Sequence, residues 1–97
     1  MRVDIENRFI ATRLLKDPDG NIAGMIGVNT RTAEPIIIRA KAVIMATGAA
    51  GRIGLPNSGY LFGTYENPAN CGDGHAMAYH AGADLANLEC FQVNPLL

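Results

Sequence analysis

Apolar and polar residues alternate in the first part of the chain, and this period of two predicts β-strands. The turn residues Pro18-Asp19-Gly20-Asn21 interrupt the alternation, because Pro18 fixes its φ and Gly20 or Asn21 accepts a positive one. The expected strands are Val3–Ile5, residues 9–15, residues 22–29 and residues 36–39. The last three should form a three-stranded antiparallel β-meander over residues 8–39.

The next apolar run, over residues 42–48, lacks this alternation. It begins Ala42-Val43-Ile44-Met45-Ala46 and ends in Thr47-Gly48. A run that is apolar on both faces is typical of a buried strand in a parallel sheet. Such a strand needs covering on both sides, which Val3–Ile5 alone cannot provide. We therefore expect this sequence to be an internal part of a larger protein.

A long glycine-rich loop is expected over residues 49–71. The stretch from Gly48 to Gly74 holds seven of the eleven glycines of the chain. A disordered linker is one interpretation, but the loop is rich in apolar side chains, which favour an ordered loop that wraps a ligand or bridges domains. These apolar residues are Ile53, Leu55, Tyr60, Leu61, Phe62 and Tyr65.

A short helix is predicted over residues 73–82, with Asp73 as its N-cap and Gly82 as its C′ residue. An extended segment, residues 84–93, should follow. The N–H groups at the helix N-terminus could face an anion or the polar edge of a ligand. An ordinary capped helix is the other interpretation, and the residues alone leave both open. The elements together indicate the α+β class.

Composition and charge exclude several classes of protein. Hydrophobic residues make up 48% of the chain and charged residues 18%, as in globular proteins. The apolar runs are far shorter than the roughly 20 residues of a membrane span. Residues 1–52 carry a formal charge of +3 and residues 53–97 one of −4, so a clustered basic face for nucleic acid is not expected. Two cysteines far apart and no targeting pattern indicate the cytoplasm.

Two familiar motifs fail on spacing. His75 and His80 are five residues apart, which places them about 140° apart around a helix, so they are not expected to share a metal ion. Gly72-Asp73-Gly74 opens like a dinucleotide-binding fingerprint, but Met77 occupies the position of its third glycine and no strand directly precedes it.

Two longer segments carry a family resemblance. AKAVIMATGAAGR, residues 40–52, resembles the ATGG segment of the flavoprotein subunits of fumarate reductase and succinate dehydrogenase. ENPANCGDGHAMAYHAGADLANLECFQVNP, residues 66–95, resembles their TGDGxAMAxxAGAxLxxMEFxQxHPT segment, which L-aspartate oxidase shares. The order of the segments and the meander before them also match.

This resemblance implies that the chain is a fragment of an α/β FAD-binding domain. Residues 8–39 and the strand at 42–48 would belong to that domain, and residues 84–97 would begin the connection to a capping domain. Ala46, Thr47, Gly48 and Ala49 would lie against the FAD cofactor, and Asp73 would be its polar contact. The family's later catalytic arginine lies outside the fragment, so no catalytic residue is expected within it.

Three positions depart from the family pattern. Ala49 replaces the second glycine of ATGG and Cys71 replaces the threonine of TGDG, and both changes exchange one small residue for another. Asn94 stands where relatives that act on dicarboxylates carry a histidine, which makes it a candidate substrate-binding residue and argues against fumarate or succinate as the substrate.

The resemblance implies a FAD-dependent oxidoreductase that moves a hydride between flavin and a small organic substrate. We expect the 97 residues alone to be inactive and to associate with themselves through their apolar surface. In the whole protein the partners would be the rest of the flavoprotein and, as a further candidate, an iron–sulfur electron-transfer subunit. The alternative is a non-enzymatic small α+β interaction domain that self-associates.

Overall fold

The computed structural model describes residues 3–50 and 69–90 of the chain. It contains three strands, β1 (Phe9–Lys16), β2 (Ile22–Asn29) and β3 (Pro35–Arg39), and one helix, α1 (Asp73–His80). The chain divides into two compact units, Met1–Ala46 and Thr47–Leu97. The first holds the sheet and the second holds the helix. Within the described ranges no helix has the length and apolar character needed to cross a bilayer.

The three strands form one antiparallel sheet in the order β1-β2-β3. β2 is the central strand, with Ile10 opposite Val28 on one side and Ile36 opposite Gly27 on the other. The register between β1 and β2 shifts between Ala11 and Arg13. The predicted meander is confirmed, because a period-two pattern interrupted by turn residues is a local signal that each strand carries in its own sequence.

Side-chain oxygens organise both turns of the meander. Asp17 Oδ1 accepts hydrogen bonds from the backbone N–H groups of Asp19 at 3.0 Å and Asn21 at 2.8 Å, while Gly20 takes the predicted positive φ of 88°. In the second turn, Asn29 Oδ1 accepts from the N–H groups of Arg31 at 2.9 Å and Thr32 at 3.2 Å. Asp and Asn favour turns because their short side chains replace backbone acceptors in this way.

Two glycines in the central strand are buried because its neighbours come very close. A Cβ atom on Gly24 would lie 3.0 Å from the carbonyl carbon of Ile38 in β3. A Cβ atom on Gly27 would meet the carbonyl oxygen of Ile10 and the ring of Phe9, both from β1. β2 therefore holds the two outer strands at a distance that only glycine permits at these positions.

One face of the sheet remains apolar and exposed. Val28 and Ile26 alternate along β2 on this face, opposite Ile10 of β1 and Ile37 of β3. The exposed fractions of Ile10 and Ile37 are 58% and 62%. We call Ile10, Val28 and Ile37 the outer sheet face.

Two expected strands differ from the structure. Val3–Ile5 and residues 42–48 are not in strands, and the side chain of Ile44 is 91% exposed. A parallel strand exists only through hydrogen bonds to a neighbour, and without a strand at Val3–Ile5 the described residues offer none beside residues 42–48. The expected loop at 49–71 lies mostly outside the described residues, as does the end of the extended segment expected at 84–93.

Candidate functional site

The turn that begins the second unit, Thr47-Gly48-Ala49, exposes its backbone. All three residues are exposed, and Gly48 has a φ of 77°. Apart from its chain neighbours, no atom of the described residues lies within 4 Å of the position that a Cβ atom on Gly48 would occupy. Glycine adopts this conformation without steric cost and leaves its peptide groups open, so a ligand can approach the backbone closely here.

The start of α1 differs from the expected cap. Asp73, predicted as the N-cap, is instead the first helical residue, and the cap position belongs to Gly72. Gly72 adopts the left-handed conformation, with φ 86° and ψ 26°, and no side chain of the described residues makes a capping hydrogen bond. The expectation was wrong because Gly72 adopts the left-handed conformation without steric cost. The helix therefore begins one residue earlier than an Asp73 cap would place it. The first N–H groups of α1 therefore have no side-chain cap.

Asp73 carries an exposed carboxylate in the first turn of α1. This position places a negative charge next to the positive end of the helix dipole, which is stabilising. The carboxylate accepts hydrogen bonds, and the neighbouring backbone amides donate them. The helix start thus presents acceptors and donors side by side.

The structure brings the Thr47 turn to the start of α1. A Cβ atom on Gly74 would collide with Thr47 Oγ1 and would lie 2.9 Å from Thr47 Cβ and 3.1 Å from Thr47 Cγ2. Thr47 and Gly74 belong to the same compact unit, and Gly74 is buried. The sequence alone does not reveal this contact, because no local pattern joins residues 27 positions apart. The available signal was a glycine inside the first turn of a helix, where alanine is otherwise preferred.

The other end of α1 is fixed by backbone hydrogen bonds. Gly82, at φ 98°, donates its N–H to the Tyr79 carbonyl at 2.9 Å, and Ala83 donates to the Ala78 carbonyl at 3.0 Å. These two bonds define a Schellman motif, so the prediction of Gly82 as C′ is confirmed. Gly74 and Met77 are the buried residues of α1.

Ala46 is the last residue of the first unit, and Asn94 lies outside the described residues. His80 meets Tyr79 edge to face, with ring centroids 5.8 Å apart. Within residues 3–50 and 69–90 no group of three metal-ligating side chains comes together. Cys71 and Cys90 are both exposed and are not joined in a disulfide.

The described residues thus combine an exposed glycine turn with a helix N-terminus that has no side-chain cap, and backbone groups of this kind can hold a ligand. Comparison with known families specifies the cofactor. The family model described as "FAD binding domain" matches residues 1–96, and the chain belongs to this family. The site residues fit such a cofactor, since backbone N–H groups without a side-chain cap and the exposed Asp73 carboxylate suit the phosphates and hydroxyl groups of FAD.

Relatives with assigned names cover nearly the whole chain. It is 37% identical over 97 residues to a protein of Methanothermobacter marburgensis that is named as a fumarate reductase (CoM/CoB) subunit, covering 98% of this chain and 16% of that protein. It is 38% identical over 95 residues to a "Fumarate reductase flavoprotein subunit" of Mycobacterium tuberculosis, covering 98% and 14%. For a "Succinate dehydrogenase flavoprotein subunit" of Coxiella burnetii the identity is 37% over 83 residues, covering 84% and 13%.

The chain therefore spans about one sixth of the length of these relatives, and less for some. The resemblance noted from the sequence is confirmed, with FAD as the cofactor of the family. No solved structure matches the chain at a significant level.

Proposed function

We propose that this chain forms part of the FAD-binding domain of a FAD-dependent oxidoreductase that moves a hydride between flavin and a small organic substrate. The close approach of Thr47 to Gly74 carries the proposal, because it joins the two sequence motifs of the family at one place. FAD supplies the redox chemistry when it is bound, and the protein binds and orients it. The names of the relatives support the same reaction class.

The described residues suggest a division of roles at the cofactor. The open backbone of Gly48 lets the turn from Ala46 to Ala49 lie directly against FAD. The N–H groups at the start of α1 donate to its polar edge. The Asp73 carboxylate would repel a phosphate of the same sign, so we assign it to a hydroxyl group of FAD, from which it accepts a hydrogen bond.

Residues 42–48 gain a role in the longer protein. These residues are apolar without alternation, and Ile44 is 91% exposed in the 97-residue chain, which is unfavourable for a large aliphatic side chain. Both observations support burial of the segment as a parallel strand where the longer protein supplies neighbouring strands. The Thr47 turn would then follow the carboxyl end of a strand, where open α/β sheets bind ligands. Residues 84–97 would lead to a capping domain, with Asn94 at the substrate.

The partners follow from the same assignment. Several relatives are named as subunits, which supports further subunits around the whole protein, including an iron–sulfur subunit that exchanges electrons with the flavin. The exposed cysteines without a disulfide fit a reducing compartment, and we propose the cytoplasm. The alternative of a self-associating interaction domain is less well supported, because the whole chain matches a FAD-binding family.

Purification of the full-length protein that contains this chain tests the proposal. The expected result is one FAD per protein, released by denaturation and identified by chromatography against FAD and FMN standards. If the protein purifies without flavin, the apoprotein is titrated with FAD and, as a control, with riboflavin, which lacks both phosphates and the adenosine. Absence of FAD binding in both measurements would overturn the proposal.

A further inference from the structure

The start of α1 carries a glycine whose position helix propensity does not explain. Gly74 is the second residue of α1 and is buried. Alanine is favoured over glycine in helices, by about fivefold in the equilibrium constant in an interior and by less in the first turn, so a glycine here has another reason. That reason is Thr47, whose Oγ1, Cβ and Cγ2 atoms occupy the space that an alanine side chain would fill.

We propose that Gly74 is a positioning residue for FAD, which acts through Thr47. Its missing side chain lets Thr47 dock on the first turn of α1, and this contact fixes the Thr47-Gly48-Ala49 turn next to the uncapped N–H groups of the helix. Gly74 itself need not touch the cofactor. The inference rests on the proposed function, since it concerns the same binding site.

The geometry specifies how the contact would fail. Gly74→Ala would push Thr47 away from the helix. Gly48, at φ 77°, follows Thr47 directly in the chain, so the displacement of Thr47 would also move the rest of the turn. Thr47→Ala removes Oγ1 and Cγ2 but leaves the Cβ atom at 2.9 Å, so it relieves the collision in part. Thr47→Gly removes all three of these nearest atoms and so relieves the collision further.

The test introduces Gly74→Ala into three forms of the full-length protein. They are the wild type, the Thr47→Ala variant and the Thr47→Gly variant. In the Thr47 background we expect Gly74→Ala to weaken FAD binding about tenfold or more and to lower the melting temperature of the apoprotein. In the Thr47→Gly background the same substitution should raise the melting temperature, because helix propensity then favours alanine. It should also leave the FAD dissociation constant within about twofold of that of Thr47→Gly alone.

Gly82→Ala is the matched control at the other end of α1. Gly82 has a φ of 98°, so alanine there strains the backbone and lowers the melting temperature, yet the residue lies at the far end of the helix from Thr47. FAD affinity should remain unchanged in this variant. The comparison separates loss of stability from loss of positioning.

Two results would overturn the inference: an unchanged FAD dissociation constant in Gly74→Ala, or an equal loss of affinity in the Thr47 and Thr47→Gly backgrounds. Failure of the proposed function gives a different result, since the wild-type protein would then bind no FAD. In that case a melting temperature that falls in one background and rises in the other would still confirm the docking of Thr47 on Gly74. The absence of FAD binding would refute the role of Gly74 toward FAD.

Discussion

Asp73 stands at the first helical position of α1 with an exposed carboxylate. Because it is not the cap, its contribution to stability comes from the helix dipole, about 0.3–1 kcal/mol. Its larger effect should be on the cofactor, because a hydrogen bond to a charged group contributes about 1.5–3 kcal/mol. Replacing Asp73 should therefore weaken FAD binding more than it lowers the stability of the fold.

We expect Asp73→Ala in the full-length protein to weaken FAD binding about tenfold or more, with only a small change in melting temperature. Asp73→Asn should be milder, since the amide oxygen still accepts a hydrogen bond. Asp84→Ala, at another exposed aspartate of the same unit, is the control and should bind FAD as the wild type does. Flavin fluorescence titration measures all three, and equal affinities would show that Asp73 does not contact FAD.

At the scale of elements, the sheet depends on close approach to β2. Gly27→Ala would drive a Cβ atom into the Ile10 carbonyl and the Phe9 ring, so we expect the free energy of unfolding to fall by about 1–3 kcal/mol. Val28→Ala, at the adjacent position on the outer sheet face, is the control and should cost under about 1 kcal/mol. Thermal unfolding measures the melting temperatures of the two variants, and that of Gly27→Ala should be the lower. Equal melting temperatures would contradict the close packing at Gly27.

The elements also differ in how far their own sequence determines them. The alternation of residues 22–29 and the turn at Gly20 predicted β2 and its hairpin because both signals are local. Residues 42–48 carry an equally clear pattern, yet they form no strand in this structure, because pairing depends on neighbours that the described residues do not supply. The prediction of Asp73 as the N-cap was wrong by one position, because Gly72 occupies the cap position. The contact of Thr47 with Gly74 could not be predicted, since it joins distant positions.

At the scale of the whole molecule, exposed apolar surface determines how the 97-residue chain behaves alone. The outer sheet face and Ile44 present large aliphatic side chains to water. We therefore expect the isolated chain to self-associate, because contiguous apolar patches of several hundred Å² tend to find partners. Sedimentation velocity over a range of concentrations measures this. A strictly monomeric species at high micromolar concentration would contradict it, and Ile10→Lys with Ile37→Lys should shift the distribution toward monomer.

The substrate of the whole protein provides a second prediction at this scale. Asn94 cannot carry a charge, whereas a histidine can be cationic and form a charge-assisted hydrogen bond of roughly twice the strength of a neutral one. We expect slow reduction of fumarate with a reduced dye, and faster turnover after Asn94→His. Asn94→Gln, which stays neutral, is the control. Wild-type turnover equal to that of authentic fumarate reductases would refute the prediction.

The place of β2 between two partners also sets an order of exchange for backbone amide protons. β1 and β3 are the outer strands of the sheet, so each turns one row of N–H groups away from β2, while β2 is hydrogen-bonded on both sides. An amide of β2 exchanges with deuterium only after the sheet opens, whereas the outward amides of β1 and β3 need no such opening. The peptide covering Ile22–Asn29 should therefore take up deuterium last within the meander, and its rate reports the opening of the sheet as a unit.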